Sequence, residues 1–277
     1  MVIGRRMLWL LLLVLGGLLT LKVVIAVTEP WLVFFPRSGE DSTPAELGIR
    51  YTSIGIATSD GERLTAWQLE PDQPIADVVY FHGNGGNLAV WLPVLATLHG
   101  NGLRVLAVDY RGYGLSSGKP SEGGLYRDAE AVVRYAAAHR NSAPRRPLIF
   151  WGRSLGGPVA ASATRAVTPD GLILESTFVA KAAVLRTNPV LRLLNAFSRY
   201  RFPTIDMVED FRGPVLVIHG TGDSVIPHPL GVELYARLRH PKEFLEVPDA
   251  DHNDLIALDH EPYWTTVRRF AEGLLNR

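Results

Sequence analysis

Leu148-Ile149-Phe150-Trp151-Gly152-Arg153-Ser154-Leu155-Gly156-Gly157 is the most informative run in the 277-residue chain. A continuous apolar stretch ends in Gly-x-Ser-x-Gly, and an alanine-rich stretch follows, so the chain reads as strand, tight turn and helix. A serine on such a turn sits in strained geometry. The flanking glycines let neighbouring backbones approach where a Cβ would clash. The helix that starts there presents unsatisfied N–H groups and the positive end of its dipole to the serine hydroxyl. Ser154 is therefore the candidate nucleophile.

On either side of this run, short apolar segments alternate with helical ones. Expected strands are Ile49–Thr58, Arg63–Glu70, Asp77–Phe81, Leu103–Asp109, Pro147–Trp151, Gly171–Leu174, Val215–His219 and Glu243–Val247. Expected helices are Leu88–His99, Glu122–His139, Leu155–Ala166, Pro229–Arg239 and Pro262–Leu275. The first two strands, split by Ser59-Asp60-Gly61-Glu62, read as a hairpin. The remainder reads as a parallel sheet covered on both faces, about eight strands in all. Residues 177–211 break the alternation and are expected to form a short cap or an elaborated crossover.

Composition narrows the function. Lys+Arg and Asp+Glu balance at 28 each, which removes the electrostatic drive for nucleic-acid binding. There are no cysteines, which excludes a thiol nucleophile, a thiolate metal site and disulfides. Met7–Val27 is 21 residues with Lys22 as its one strongly polar member. At helical rise it reaches about 31 Å, close to the thickness of a bilayer core. Residues 1–28 are therefore expected to anchor the protein in a membrane, with 29–48 as linker and 49–277 as the catalytic domain. Arg5 and Arg6 predict a cytoplasmic N-terminus and an exported domain. A cleaved signal peptide ending at Val24-Ile25-Ala26 is the alternative.

A serine hydroxyl needs a base, and eight histidines compete for the role. His99, His139 and His240 fall at helix ends, and His228 and His260 just before helices. His82 and His219 follow strands and precede glycine, as turn residues would. His252 stands in Pro248-Asp249-Ala250-Asp251-His252-Asn253-Asp254, a polar loop after the last strand, where active-site loops gather. It is the expected base. The acid that orients it should lie between nucleophile and base in the chain. Asp223, just past the apolar run Val215–Ile218, is the first choice, and Glu175 the second. The acidic residues around His252 lack a second histidine and a rigid frame for a metal. For the oxyanion, the glycine-rich turn Phe81-His82-Gly83-Asn84-Gly85-Gly86-Asn87 offers the Asn84 amide, and the nucleophile turn offers that of Leu155. No Gly-Lys-Ser/Thr follows that turn, which argues against a nucleotide site.

Taken in order, His82-Gly-Asn-Gly-Gly-Asn, Asp109-Tyr-Arg-Gly-Tyr-Gly, Gly152-Arg-Ser-Leu-Gly-Gly, His219-Gly-x-x-Asp and Asp251-His-Asn resemble the α/β-hydrolase superfamily of serine hydrolases, in particular membrane-anchored single-domain members. The resemblance covers about Tyr51 to Leu275. It implies an α/β-hydrolase fold with a short cap, Ser154, Asp223 and His252 as catalytic residues, and Asn84 and Leu155 as oxyanion donors. It also implies no cofactor and no metal, and a small-molecule or lipid-like ester as substrate. Thioesterase and peptidase activities use the same machinery, and a non-catalytic membrane-tethered domain is the reading from outside enzymology. The short cap argues against bulky triglycerides, and no oligomeric state is implied.

Overall fold

The computed structural model describes residues 2–140, 145–186, 189–256 and 261–275. His260 lies outside the described residues. One eight-stranded sheet organises the chain, in the order β1-β2-β4-β3-β5-β6-β7-β8. β1 (Tyr51–Ala57) and β2 (Arg63–Leu69) form the expected hairpin, and β2 runs antiparallel to β4 (Leu103–Val108). From β4 onward all pairings are parallel, through β3 (Ala76–Phe81), β5 (Leu148–Arg153), β6 (Gly171–Glu175), β7 (Val215–Gly220) and β8 (Lys242–Val247).

Every residue of β3, β5, β6 and β7 is buried, which is why these strands read as unbroken apolar runs rather than alternating ones. On one face, Phe81, Phe150, Leu174 and Val217 pack under α3 (Glu122–Ala138), α4 (Gly156–Ala163) and α8 (His228–Arg237). On the other, Tyr80, Trp151, Ile173 and Ile218 pack under α2 (Leu88–Gly100) and α9 (Glu261–Leu275). Helix starts follow their caps. Asn87 accepts the Val90 N–H at 3.1 Å and Ser121 the Gly124 N–H at 3.1 Å.

The strand order reverses between β3 and β5, since β4 lies on one side of β3 and β5 on the other. In sheets of this kind the loops leaving the carboxyl ends of two such strands diverge, and ligands bind at that point. The glycine-rich turn after β3 and the serine turn after β5 both sit at that point. Between β6 and β7, where the cap was expected, lie three short helices, α5 (Lys181–Val184), α6 (Pro189–Asn195) and α7 (Thr204–Met207).

The N-terminal helix α1 spans Val2–Val33, running past the expected anchor boundary at residue 28. Its section Arg5–Val33 is long and apolar enough to cross a membrane, and its most apolar window is not buried against the body. The expected linker is not slack. Pro36 bridges Gly86, Ser38 bridges Gly114, and backbone bonds join Arg37 N–H to Gly86 O at 2.9 Å and Gly114 N–H to Arg37 O at 2.8 Å. The partners of this strap lie about fifty or more residues away and are met through backbone, which leaves no side-chain pattern to read.

Candidate active site

Ser154 follows β5 with φ of 54°, the left-handed conformation that a β-carbon disfavours. The surrounding glycines make the turn possible. A β-carbon on Gly152 would meet the Gly156 carbonyl oxygen at 2.2 Å, and one on Gly156 would meet the Phe81 carbonyl oxygen at 2.0 Å. Neither position admits any other residue without moving backbone. Ser154 N–H donates to Glu175 O at 2.9 Å, and the Thr177 hydroxyl donates to Ser154 O at 2.8 Å, so the strained residue is held from both ends.

His252 Nε2 lies 3.0 Å from Ser154 Oγ, and its Nδ1 lies 2.8 Å from Asp223 Oδ2. An ionised carboxylate only accepts, so Nδ1 carries the proton and Nε2 turns its lone pair to the hydroxyl. Burial opposes the charge on Asp223, but hydrogen bonds from His219 and His252 outweigh it and hold the carboxyl well below the usual carboxylate range. Its other oxygen, Oδ1, accepts the N–H groups of Val225 at 2.9 Å and Ile226 at 2.7 Å. The Asx-turn role open to an aspartate after a strand and the approach to the imidazole therefore coexist, one on each oxygen.

Three sequence readings need correction. His219, expected to shape a turn, is a fully buried residue of β7 whose Nε2 lies 2.8 Å from Ile226 O and 3.3 Å from Asp223 Oδ2. It is a second imidazole beside the Asp223 carboxylate. His228, expected just before a helix, is instead the first residue of α8, and its Nε2 lies 3.0 Å from Glu246. Glu175, the second choice for the acid, does not reach His252. Its Oε2 accepts from Trp151 Nε1 at 2.7 Å and Tyr263 OH at 3.3 Å, and its Oε1 lies 3.7 Å from Arg153 Nε.

Arg153 occupies the variable position of the serine motif, so the motif itself assigns it no role. Its side chain is buried, and Nη2 donates to the His252 carbonyl at 2.6 Å, across 99 positions of sequence. The His252 loop is thus held from the strand that leads into Ser154. Asp251 secures the same loop, accepting from Ser224 N–H and His252 N–H at 2.7 Å each. These bonds engage the Asp251 carboxylate within its own loop. Among the described residues no cluster of three or more metal-ligating side chains occurs.

Gly83 places its α-carbon against Ser154, since a β-carbon there would come within 3.3 Å of Ser154 Cβ. The next residue, Asn84, is fixed by its side chain. Oδ1 accepts from Phe35 N–H at 3.3 Å and Tyr113 OH at 3.2 Å, and Nδ2 donates to Val33 O at 2.5 Å. The Leu155 amide opens the turn into α4. Below the loop, His82 is buried and stacked on Trp91, and Tyr110 OH donates to His82 O at 2.8 Å.

A parallel sheet of this order, with a serine elbow, a histidine and an aspartate gathered at its carboxyl edge, defines an α/β-hydrolase. The chain belongs to the serine aminopeptidase S33 family, which residues 72–210 match. It is 33% identical to the α/β-hydrolase domain-containing protein WAV2 of Arabidopsis thaliana, over 93% of this chain and 92% of that protein. It is 30% identical to the uncharacterized membrane protein YNL320W of Saccharomyces cerevisiae, over 82% of each. Among solved structures, an esterase of Pyrococcus furiosus, Pf2001, superimposes with a TM-score of 0.70 at 21% identity, covering 87% of this chain and 97% of that one.

Proposed function

We propose that this hydrolase cleaves carboxylic esters by two-step acyl transfer at Ser154. His252 Nε2 takes the hydroxyl proton as Oγ attacks the ester carbonyl, and the Asp223 carboxylate stabilises the imidazolium that results. The Asn84 and Leu155 amides receive the charge that develops on the carbonyl oxygen. The imidazolium returns its proton to the leaving alcohol. Water, deprotonated by the same imidazole, then releases the acid and regenerates Ser154. The observation that carries this reading is the continuous path Ser154 Oγ, His252, Asp223, at 3.0 and 2.8 Å, set on a serine with φ of 54°.

We further propose that α1 is an uncleaved single-pass anchor with its N-terminus cytoplasmic, so that the catalytic domain works on the exported side. The family description favours one other substrate class, peptides with a free amino terminus. Against it, Lys181–Arg201 of the cap contains five basic residues and no acidic one, a poor setting for a substrate ammonium.

A fluorophosphonate probe should label the wild type and leave Ser154→Ala unlabelled. A panel of p-nitrophenyl esters of graded chain length, with amino-acid anilides alongside, then separates esterase from aminopeptidase. Labelling that persists in Ser154→Ala would overturn the assignment of the nucleophile. Sodium carbonate should fail to extract the full-length chain from membranes, and release into the supernatant would overturn the anchor.

A further inference from the structure

The last turn of α1, the first residue of the strap and the cap meet at one buried knot. Glu29 accepts from Lys181 Nζ at 2.9 Å, from the Arg199 N–H at 2.9 Å and from the Ser198 hydroxyl. Phe34 packs edge-on against Tyr200 and Phe202. Glu29 stands two residues past Val27, where the apolar span ends. Ser198 stands three residues past the end of α6, so at most about 10 Å of extended chain separates that helix from the knot. The polar layer outside a bilayer core is roughly 5–8 Å deep on each side. The cap helix is thereby tethered close to headgroup level.

The exposed surface at that level is apolar and basic. α6 carries no buried residue, with Val190 62%, Leu193 67% and Leu194 38% exposed. Trp31, in the last turn of α1, is 80% exposed, and Phe35 beside the Asn84 loop is 58% exposed. Arg192, Arg199 and Arg201 lie exposed among them. Apolar side chains interleaved with arginines, next to an interfacial tryptophan, match the chemistry of an anionic lipid surface.

We propose that this face, with α6 as its principal contact, seats in the headgroup layer of an anionic phospholipid bilayer, the membrane that α1 crosses. The mouth of the site then opens onto lipid, and the substrate is an amphiphilic ester drawn from that leaflet. The inference rests on the anchor and esterase readings above and adds to them where the body sits and what reaches it.

The chain has no native cysteine, so single labels are clean. Leu193→Cys on α6 and Arg134→Cys, toward the opposite end of α3, carry an environment-sensitive fluorophore. The full-length protein is reconstituted in phosphatidylcholine vesicles with and without phosphatidylglycerol. The emission at 193 should shift to the blue and be quenched by spin-labelled lipid, more so with phosphatidylglycerol, while 134 shows neither. Equal access of aqueous iodide to both labels, in chains that resist carbonate, would overturn the contact and leave the anchor standing. Carbonate release would overturn both. A shift at 193 that follows protein concentration, without lipid quenching, would assign the face to a second copy and overturn the proposal.

Leu193→Ser with Leu194→Ser should lower turnover of a vesicle-borne long-chain ester several-fold and leave a short water-soluble ester unchanged. Equal turnover of the vesicle-borne ester would overturn lipid delivery. Failure to hydrolyse any ester would overturn the esterase reading and the ester substrate, and leave the fluorescence result on seating intact.

Discussion

Asp223→Asn isolates the electrostatic part of the proposed mechanism with little change of shape. Oδ1 of Asp223 is held by two backbone N–H donors, Val225 at 2.9 Å and Ile226 at 2.7 Å. In the variant the amide oxygen stays on those donors, so the NH2 group faces His252 Nδ1. A donor there forces the imidazole into the tautomer with hydrogen on Nε2, and the lone pair 3.0 Å from Ser154 Oγ is lost. His219 cannot substitute, because its Nε2 already points its hydrogen at Ile226 O and the acid. Losing both tautomer and counter-charge should lower kcat about 10^4-fold, near 5.5 kcal/mol of transition-state stabilisation, while KM moves little. The assay is stopped-flow hydrolysis of a short p-nitrophenyl ester, with circular dichroism to confirm the fold. A variant that keeps kcat within about tenfold of wild type would refute the assignment of the acid and the tautomer argument with it.

Gly156→Ala drives a β-carbon to 2.0 Å from the Phe81 carbonyl oxygen, and should cost about 3 kcal/mol or more, read as a lowered denaturation midpoint. Arg153→Met combined with Glu175→Gln removes a buried pair without stranding either charge. It should lower kcat by about 10- to 100-fold through misplacement of His252 and leave KM within about twofold, with fluorophosphonate labelling slowed in parallel. Burial holds the Asp109 carboxyl up at about 7 and the neighbouring His82 down at about 4, with 3.9 Å between them. The raised carboxyl costs stability increasingly from pH 3.8 to 7, whereas the depressed imidazole contributes stability present above 6.5 and lost as pH falls toward 4, so the two slopes nearly cancel. Asp109→Asn should expose the histidine alone, with unfolding free energy rising by about 3 kcal/mol from pH 4 to 6.5, and a flat profile would contradict this.

Much of the architecture was legible because its signals are local. Buried parallel strands are apolar throughout, and Gly, Pro, Asn and Ser punctuate their ends. The strands β1 to β8 and the five long helices after them accordingly fall within a few residues of where the sequence placed them. The juxtaposition of residues 154, 223 and 252 was legible for a related reason: each lies in the loop that follows a strand, and strand ends in such a sheet meet at one edge. What escaped depends on distance along the chain. Nothing near Arg153 announces that its guanidinium ends at a carbonyl 99 residues away. Nothing near His219 shows that the strand buries its ring against the acid rather than leaving it in a turn. The strap at residues 34–40 makes backbone contacts, which composition does not encode.

That strap also decides how the enzyme can be trimmed. A soluble fragment beginning at Tyr51, the first residue of the sheet, would retain every strand and all three residues around Ser154. It would also strip Asn84 of two of the three groups that grip its side chain, Phe35 N–H and Val33 O, leaving water to take their place. Such a fragment would lose the buried Phe34 and the strap's backbone bonds to Gly86 and Gly114 as well. It would melt lower and turn over like a damaged enzyme, whereas a cut ahead of Glu29 would spare both properties.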